Sequence, residues 1–251
     1  MKYRTSKSGV KLFLDFRDNL IIDRYDPEFI GMRGSKLRWM SSENSEDAVT
    51  WNVFRSLRQV DPQLWFPRLF KEAFPKHESG DAQVVTIDLW KRLSPPVSLR
   101  LKVEEGQSEI DVIVETESLV WFLEAKYNSD ISKRTTHDPE REQIIRNIDV
   151  GSWYAGRRKF YFSLLILDEF HTPVGKSLID AYTQSPDSII ARLNHREDKI
   201  GNLCGVGLLT WPQVLRVMAL CERIAARLDE KHFLAHAIEW MRAKGITTVG
   251  S

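Results

Sequence analysis

Residues Ser108 to Asn128, SEIDVIVETESLVWFLEAKYN, decide the fold: two runs rich in Val, Ile, Phe and Trp flank a polar break at Thr116-Glu117-Ser118, the pattern of paired strands around a tight turn. With Glu117 and Ser118 at the centre of the turn, Thr116 faces Leu119, and pairing outward sets Asp111 opposite Glu124 and Glu109 opposite Lys126. Side chains alternate along a strand, so Asp111, Glu124 and Lys126 share one face. Ile110, Val112 and Val114 with Ala125, Leu123 and Trp121 form the other, an apolar surface to bury against a helix. Directly opposed residues have Cβ atoms about 4.5–5.5 Å apart, and like charges there are destabilising, so the facing acids are a local cost. A divalent cation would remove it, since Mg²⁺ takes one or two carboxylates plus water and substrate phosphate, and Lys126 reaches the same place. The competing reading is a solvated polar face with Lys126 as an ordinary surface partner.

Length and composition narrow the function classes. At 251 residues and 42% hydrophobic the chain is expected to fold as one domain, with an N-terminal extension over 1–44, a core over 45–168, and a C-terminal strand and helices over 169–251. Net charge is only +1, from 36 basic and 35 acidic residues, so a nucleic-acid surface must come from local clustering. One such cluster is Lys2, Arg4, Lys7, Lys11, Arg33, Lys36 and Arg38, read either as a solvated edge or as an arm that contacts phosphates. Cys204 and Cys221 show no ligand spacing and sit among apolar residues, which points to buried thiols in a reducing compartment. The basic start lacks a cleavage site and no run approaches 18 apolar residues; a cytoplasmic chain without membrane partners is expected. His77, His137 and His171 stand singly on polar stretches and are read as surface residues.

Along the chain, Val10 to Phe16 and Leu37 to Met40 are read as short strands with a loop from Arg24 to Lys36. From Ser45 the pattern turns helical, with Ser45 as N-cap, Glu46 and Asp47 in the first turn and Val49, Val53, Phe54 and Leu57 on one stripe. Asp61 to Phe74 is a second helix or an aromatic-rich excursion, Val84 to Leu89 a strand or short helix, and Val97 to Val103, with alternating Val97, Leu99, Leu101 and Val103, a strand that leads into the hairpin as a meander. Beyond Lys133 and Arg134, Asp138-Pro139 supplies an N-cap and a first-turn Pro for a helix through Ile144, Ile145 and Ile148. Gln143 and Asn147 project one turn apart beside that stripe. Phe160 to Leu167 reads as a central strand covered on both faces, so the helix before it is a crossover. Ser177 to Leu193 is helical with a break near Pro186, Val206 to Leu209 is a buried strand, and two amphipathic helices follow, from Thr210 and from Asp229, the second stopping at Gly245.

The order helix, strand, Asp-bearing strand, strand with Glu-x-Lys, helix, buried strand between Ser45 and Leu167 resembles the PD-(D/E)xK nuclease superfamily. The matching residues are Asp111, then Glu124-Ala125-Lys126, with Glu46 in the preceding helix and Gln143 in the following one. Ile110 stands where the motif has Pro, and Asn147 where one branch has Tyr after Gln. The resemblance implies an α/β, restriction-endonuclease-like αβββαβ core, a mixed central sheet flanked by helices, with additional C-terminal helices. It also implies Mg²⁺-dependent (or Mn²⁺-dependent) phosphodiester hydrolysis, most readily of DNA and in host defence, with a homodimer for cutting two strands. Asp111 and Glu124 would hold metal, Glu46 would complete the coordination, and Gln143 would position water or touch the phosphate backbone. Lys126 would orient or deprotonate the water or, the favoured role for an ammonium beside carboxylates, neutralise the transition state. The alternatives are a degenerate module of the same fold that binds nucleic acid or a protein without cutting, and a different carboxylate enzyme such as a glycosidase, which gives Lys126 no task.

Overall fold

Described residues in the structure, a computed structural model, are 2–94, 106–132, 141–193, 195, 196, 198 and 200–248. In chain order they form β1 (Tyr3–Thr5), β2 (Lys11–Phe13), α1 (Gly34–Met40), α2 (Glu46–Leu57), α3 (Pro62–Ala73), β3 (Thr86–Leu93), β4 (Ser108–Glu115) and β5 (Leu119–Ala125). There follow α4 (Gln143–Ala155), β6 (Lys159–Ile166), α5 (Pro173–Gln184), α6 (Asp187–Arg192), β7 (Leu203–Thr210), α7 (Trp211–Ile224) and α8 (Leu228–Ala243). Contacts sort the chain into two compact units, Met1–Trp65 with Pro212–Ser251, and Phe66–Trp211.

In the first unit, β1 and β2 pair antiparallel with Tyr3 across from Phe13. Leu37 to Met40, expected as a strand, lies in helix α1; four residues are too few to show a period of 2 or 3.6. Helix α2 starts as expected, the Ser45 hydroxyl oxygen accepting from the Ala48 N–H at 3.2 Å. Its burial extends beyond the expected stripe to Thr50, Asn52 and Ser56. That is tolerated because the polar groups are satisfied: the Asn52 carboxamide donates to the Asn19 carbonyl (3.0 Å) and accepts from the Ile21 N–H (3.0 Å). Cys221 is a buried free thiol and Cys204 a half-buried one. Among the described residues no helix is long and apolar enough to cross a membrane.

The second unit is built on a five-stranded mixed sheet of order β3-β4-β5-β6-β7. The first three strands are an antiparallel meander, and β6 and β7 continue it in parallel, so the chain is α/β with a mixed central sheet. The meander's first strand is Thr86–Leu93; the expected strand Val97 to Val103 lies outside the described residues. Strand β6 is buried from Phe160 to Ile166, as a continuous apolar run requires, and α4 is the crossover that makes β5 and β6 parallel. The break near Pro186 separates α5 from α6.

Both faces of the hairpin are covered. On one, Trp121 meets Phe70 (ring centroids 5.6 Å), Phe74 (5.7 Å) and Phe66 (6.4 Å) and donates its indole N–H to the Ser163 hydroxyl at 2.8 Å. On the other, Ile113, Val120 and Phe122 pack with Ile144, Ile145 and Ile148 of α4. A solvated hairpin face is therefore overturned: Glu124 and Lys126 are 1% and 7% exposed, because α4 crosses directly over the strand that carries them.

Candidate active site on the hairpin

The turn sets the register. The Thr116 N–H donates to the Leu119 carbonyl (2.9 Å), and the ladder continues through Glu115↔Val120, Val114↔Trp121, Ile113↔Phe122 and Val112↔Leu123. Val112↔Leu123 is the last paired position; extending the same register by one residue would set Asp111 across from Glu124 on one face, as the sequence suggests. Asp111 bends back to its partner strand, Oδ2 accepting from the Ala125 N–H at 2.9 Å. Strand β3 is irregular at this level: its ladder to β4 runs Leu89↔Val112 and Lys91↔Ile110, leaving Trp90 across from Asp111 with a left-handed φ of 53°. For a bulky residue this conformation is costly. The sequence gives no signal for it, since Trp is an ordinary strand residue.

Glu124 is the hub of the polar cluster. Its Oε1 accepts from the Lys126 ammonium (2.6 Å) and the Gln143 carboxamide (2.6 Å), and its Oε2 from the Asn147 carboxamide (2.7 Å). Lys126 also donates to the Ala125 carbonyl at 3.0 Å. The backbone of Lys126 is held at both ends, its N–H on the Leu165 carbonyl (2.7 Å) and its carbonyl on the Trp211 indole N–H (3.0 Å). A buried carboxylate demands such donors, and one ammonium with two carboxamides supplies them.

Gln143 reaches Glu124 because α4 begins there. The expected cap, Asp138-Pro139, lies outside the described residues, and the N-cap is Glu142, whose carboxylate accepts from the Ile144 N–H (2.5 Å) and the Ile145 N–H (3.1 Å). Glu142 is buried and in turn accepts from the Tyr182 hydroxyl at 2.6 Å. Burial, reinforced by the Glu142 charge, raises the Tyr182 hydroxyl well above the ordinary tyrosine value, so it stays a donor. In the middle of α4, the fully buried Asp149 takes Arg196 (2.8 Å) on Oδ1, and Arg141 (2.6 Å) and His195 (2.9 Å) on Oδ2. This anchor is not legible in the sequence because His195 and Arg196 lie more than forty residues beyond Asp149 and each member resembles a surface charge.

Asp111, Glu124, Lys126 and Gln143 therefore gather on one hairpin and the helix over it, with Asn147 added. Glu46 stands in the first turn of α2, in the other compact unit. His171 bonds Asp168 at 2.8 Å on the surface, His77 is half-buried against Tyr161 (5.5 Å), and His137 lies outside the described residues. Among the described residues no group of three or more His, Cys, Asp or Glu could hold a metal ion. The candidate ligand groups at this end of the hairpin, the Asp111 and Glu124 carboxylates and the Ala125 carbonyl, are all oxygen. They are the ligands of a hard cation that keeps most of its water, and among the described residues the site offers none of the Cys or His ligands that typify zinc sites. No family model, curated protein or solved structure matches the chain.

Proposed function

We propose that the protein is a Mg²⁺-dependent nuclease of the restriction-endonuclease-like fold that hydrolyses phosphodiester bonds, with DNA as substrate. The observation that carries this reading is the polar cluster at the end of the hairpin, where Asp111 Oδ2 accepts from the Ala125 N–H and the neighbouring Glu124 holds the Lys126 ammonium on Oε1. Asp111, Glu124 and the Ala125 carbonyl are the groups that would hold the ion. When bound, a divalent cation lowers the pKa of coordinated water and screens charge that develops on a phosphate. Lys126, held beside Glu124, places a positive charge where negative charge builds up during displacement at phosphorus. Gln143 and Asn147 fix the plane of the Glu124 carboxylate, so that its oxygens are oriented before substrate arrives.

One observation favours the second reading, a module of this fold that binds nucleic acid or a protein without cutting. Three donors already satisfy Glu124, so the cluster is stable as a purely structural element. Cleavage decides between them. Plasmid, linear duplex, single-stranded DNA and RNA are incubated with Mg²⁺, Mn²⁺ or EDTA and the wild type, Asp111→Ala or Glu124→Ala. Metal-dependent cutting that both substitutions reduce by roughly 100-fold or more is the expected result. Cutting that survives EDTA or both substitutions contradicts it, and no cutting of any substrate by the wild type favours the binding module.

A further inference from the structure

We propose that β1, β2 and the end of α1 form a nucleic-acid-binding surface in which Lys2, Arg4 and Lys7 lie along the phosphates. Residues 2–14, KYRTSKSGVKLFL, contain four cations and no acid, the first carboxylate being Asp15. Lys2, Arg4, Lys7 and Lys11 are all exposed. Four other cations of the same unit are neutralised internally: Arg17 by Asp15 (3.3 Å), Arg24 by Asp18 (2.8 Å), Lys36 by Asp47 (3.2 Å) and Arg55 by Asp23 (2.6 Å). Among the described residues Lys2, Arg4 and Lys7 have no ion-pair partner. In a chain of net charge +1 this is a local excess that self-repels and stabilises nothing in the fold.

The ribbon is also held in a defined shape. Its turn is closed by the Ser6 N–H on the Val10 carbonyl (2.8 Å) with Gly9 at φ 85°, a left-handed position that suits glycine, and this puts Lys7 at the tip. The Phe13 N–H donates to the Ser41 carbonyl (2.9 Å) and the Glu43 N–H to the Lys11 carbonyl (3.0 Å). The strands are thereby tied to the segment that ends α1, which carries the exposed Arg38 and Trp39, the latter 71% exposed.

Regularly placed, uncompensated cations on a narrow two-stranded ribbon match a polyanion of repeating charge. A ribbon of this width is accommodated by a duplex groove, and an exposed indole offers a stacking face to a splayed base. An anionic membrane is disfavoured by the tip, Ser6-Lys7-Ser8-Gly9, which is polar where an inserting loop is apolar. The surface deepens the nuclease reading and rests on it for the choice of nucleic acid as the polyanion.

The test is fluorescence anisotropy of labelled single-stranded and duplex DNA with the full chain, in EDTA so that nothing is cut, as a function of salt. Each phosphate contact contributes about 0.7–0.9 to the slope of log affinity against log salt, so the Lys2→Gln/Arg4→Gln/Lys7→Gln variant is expected to lose about 2–3 of that slope with an unchanged melting temperature. Lys2→Arg/Lys7→Arg, which keeps the charge, keeps the slope. Equal slopes for wild type and the triple variant overturn the proposal, as does a triple variant that loses phosphatidylserine vesicles but not DNA. Cleavage is read separately with Mg²⁺: slope loss without any cutting sinks the nuclease reading alone, and cutting with an unchanged slope sinks the surface alone.

Discussion

Glu124 shows how a single residue can be legible in kind and illegible in environment. Its identity and strand position follow from alternation, yet its burial depends on a helix whose N-cap, Glu142, comes eighteen residues later in sequence. Asn147 gives the sharpest test of that environment. Its carboxamide donates to Oε2 of a carboxylate that is 1% exposed, and removing a hydrogen bond to a buried charged group costs about 1–3 kcal/mol. Asn147→Ala should therefore lower the unfolding free energy by that amount in a denaturant titration. Asn147→Asp should lower it further, because a second carboxylate would meet the first without water between them. An Asp variant as stable as the wild type would mean that Glu124 and residue 147 do not touch.

At the scale of elements, the hairpin and its crossover helix were readable because two independent patterns, a period of 2 about a two-residue turn and a 3.6-residue stripe, converge on the same sheet. Where only one weak pattern was present the reading went astray: Leu37 to Met40 was too short to separate helix from strand. The solvated hairpin face failed for a different reason. Polar residues clustered at one end of an otherwise apolar face look like surface, and only the path of α4 shows that they are covered. How close α4 comes is measured by Gly151. A Cβ built there would lie 2.2 Å from Phe160 Cζ and 2.8 Å from Phe122 Cδ2, so the helix can sit on the strands only without a side chain. Gly151→Ala gains up to about 1 kcal/mol of helix propensity but forces both rings aside, which costs about 1–3 kcal/mol. A net fall in melting temperature is expected, and a rise would show that α4 stands further from the sheet than these contacts place it.

For the stability of the chain against pH, the informative group is Lys244, just beyond α8. Its ammonium donates to Asn19 Oδ1 (2.9 Å) and the Glu43 carbonyl (2.8 Å) and lies over the Trp240 ring at 4.9 Å. Burial lowers its pKa from the ordinary lysine value to about 8, the Glu43 charge opposing and the Lys11 charge assisting. Below about pH 8 the folded and unfolded chains both carry the proton, and the cost of burying the charge is fully present. Between about 8 and 10.5 the unfolded chain still binds it and the folded chain does not, so stability rises with pH across that window. Nothing in the sequence announces this, since a lysine after an amphipathic helix ordinarily reads as a solvated C-terminal charge favoured by the helix dipole. Lys244→Gln keeps a donor toward Asn19 and Glu43 but cannot titrate. In denaturant titrations from pH 7 to 10.5, the wild type should therefore gain stability relative to the variant, most steeply above about pH 8. Parallel profiles for the two proteins would mean that the Lys244 ammonium remains charged, and hence hydrated, throughout.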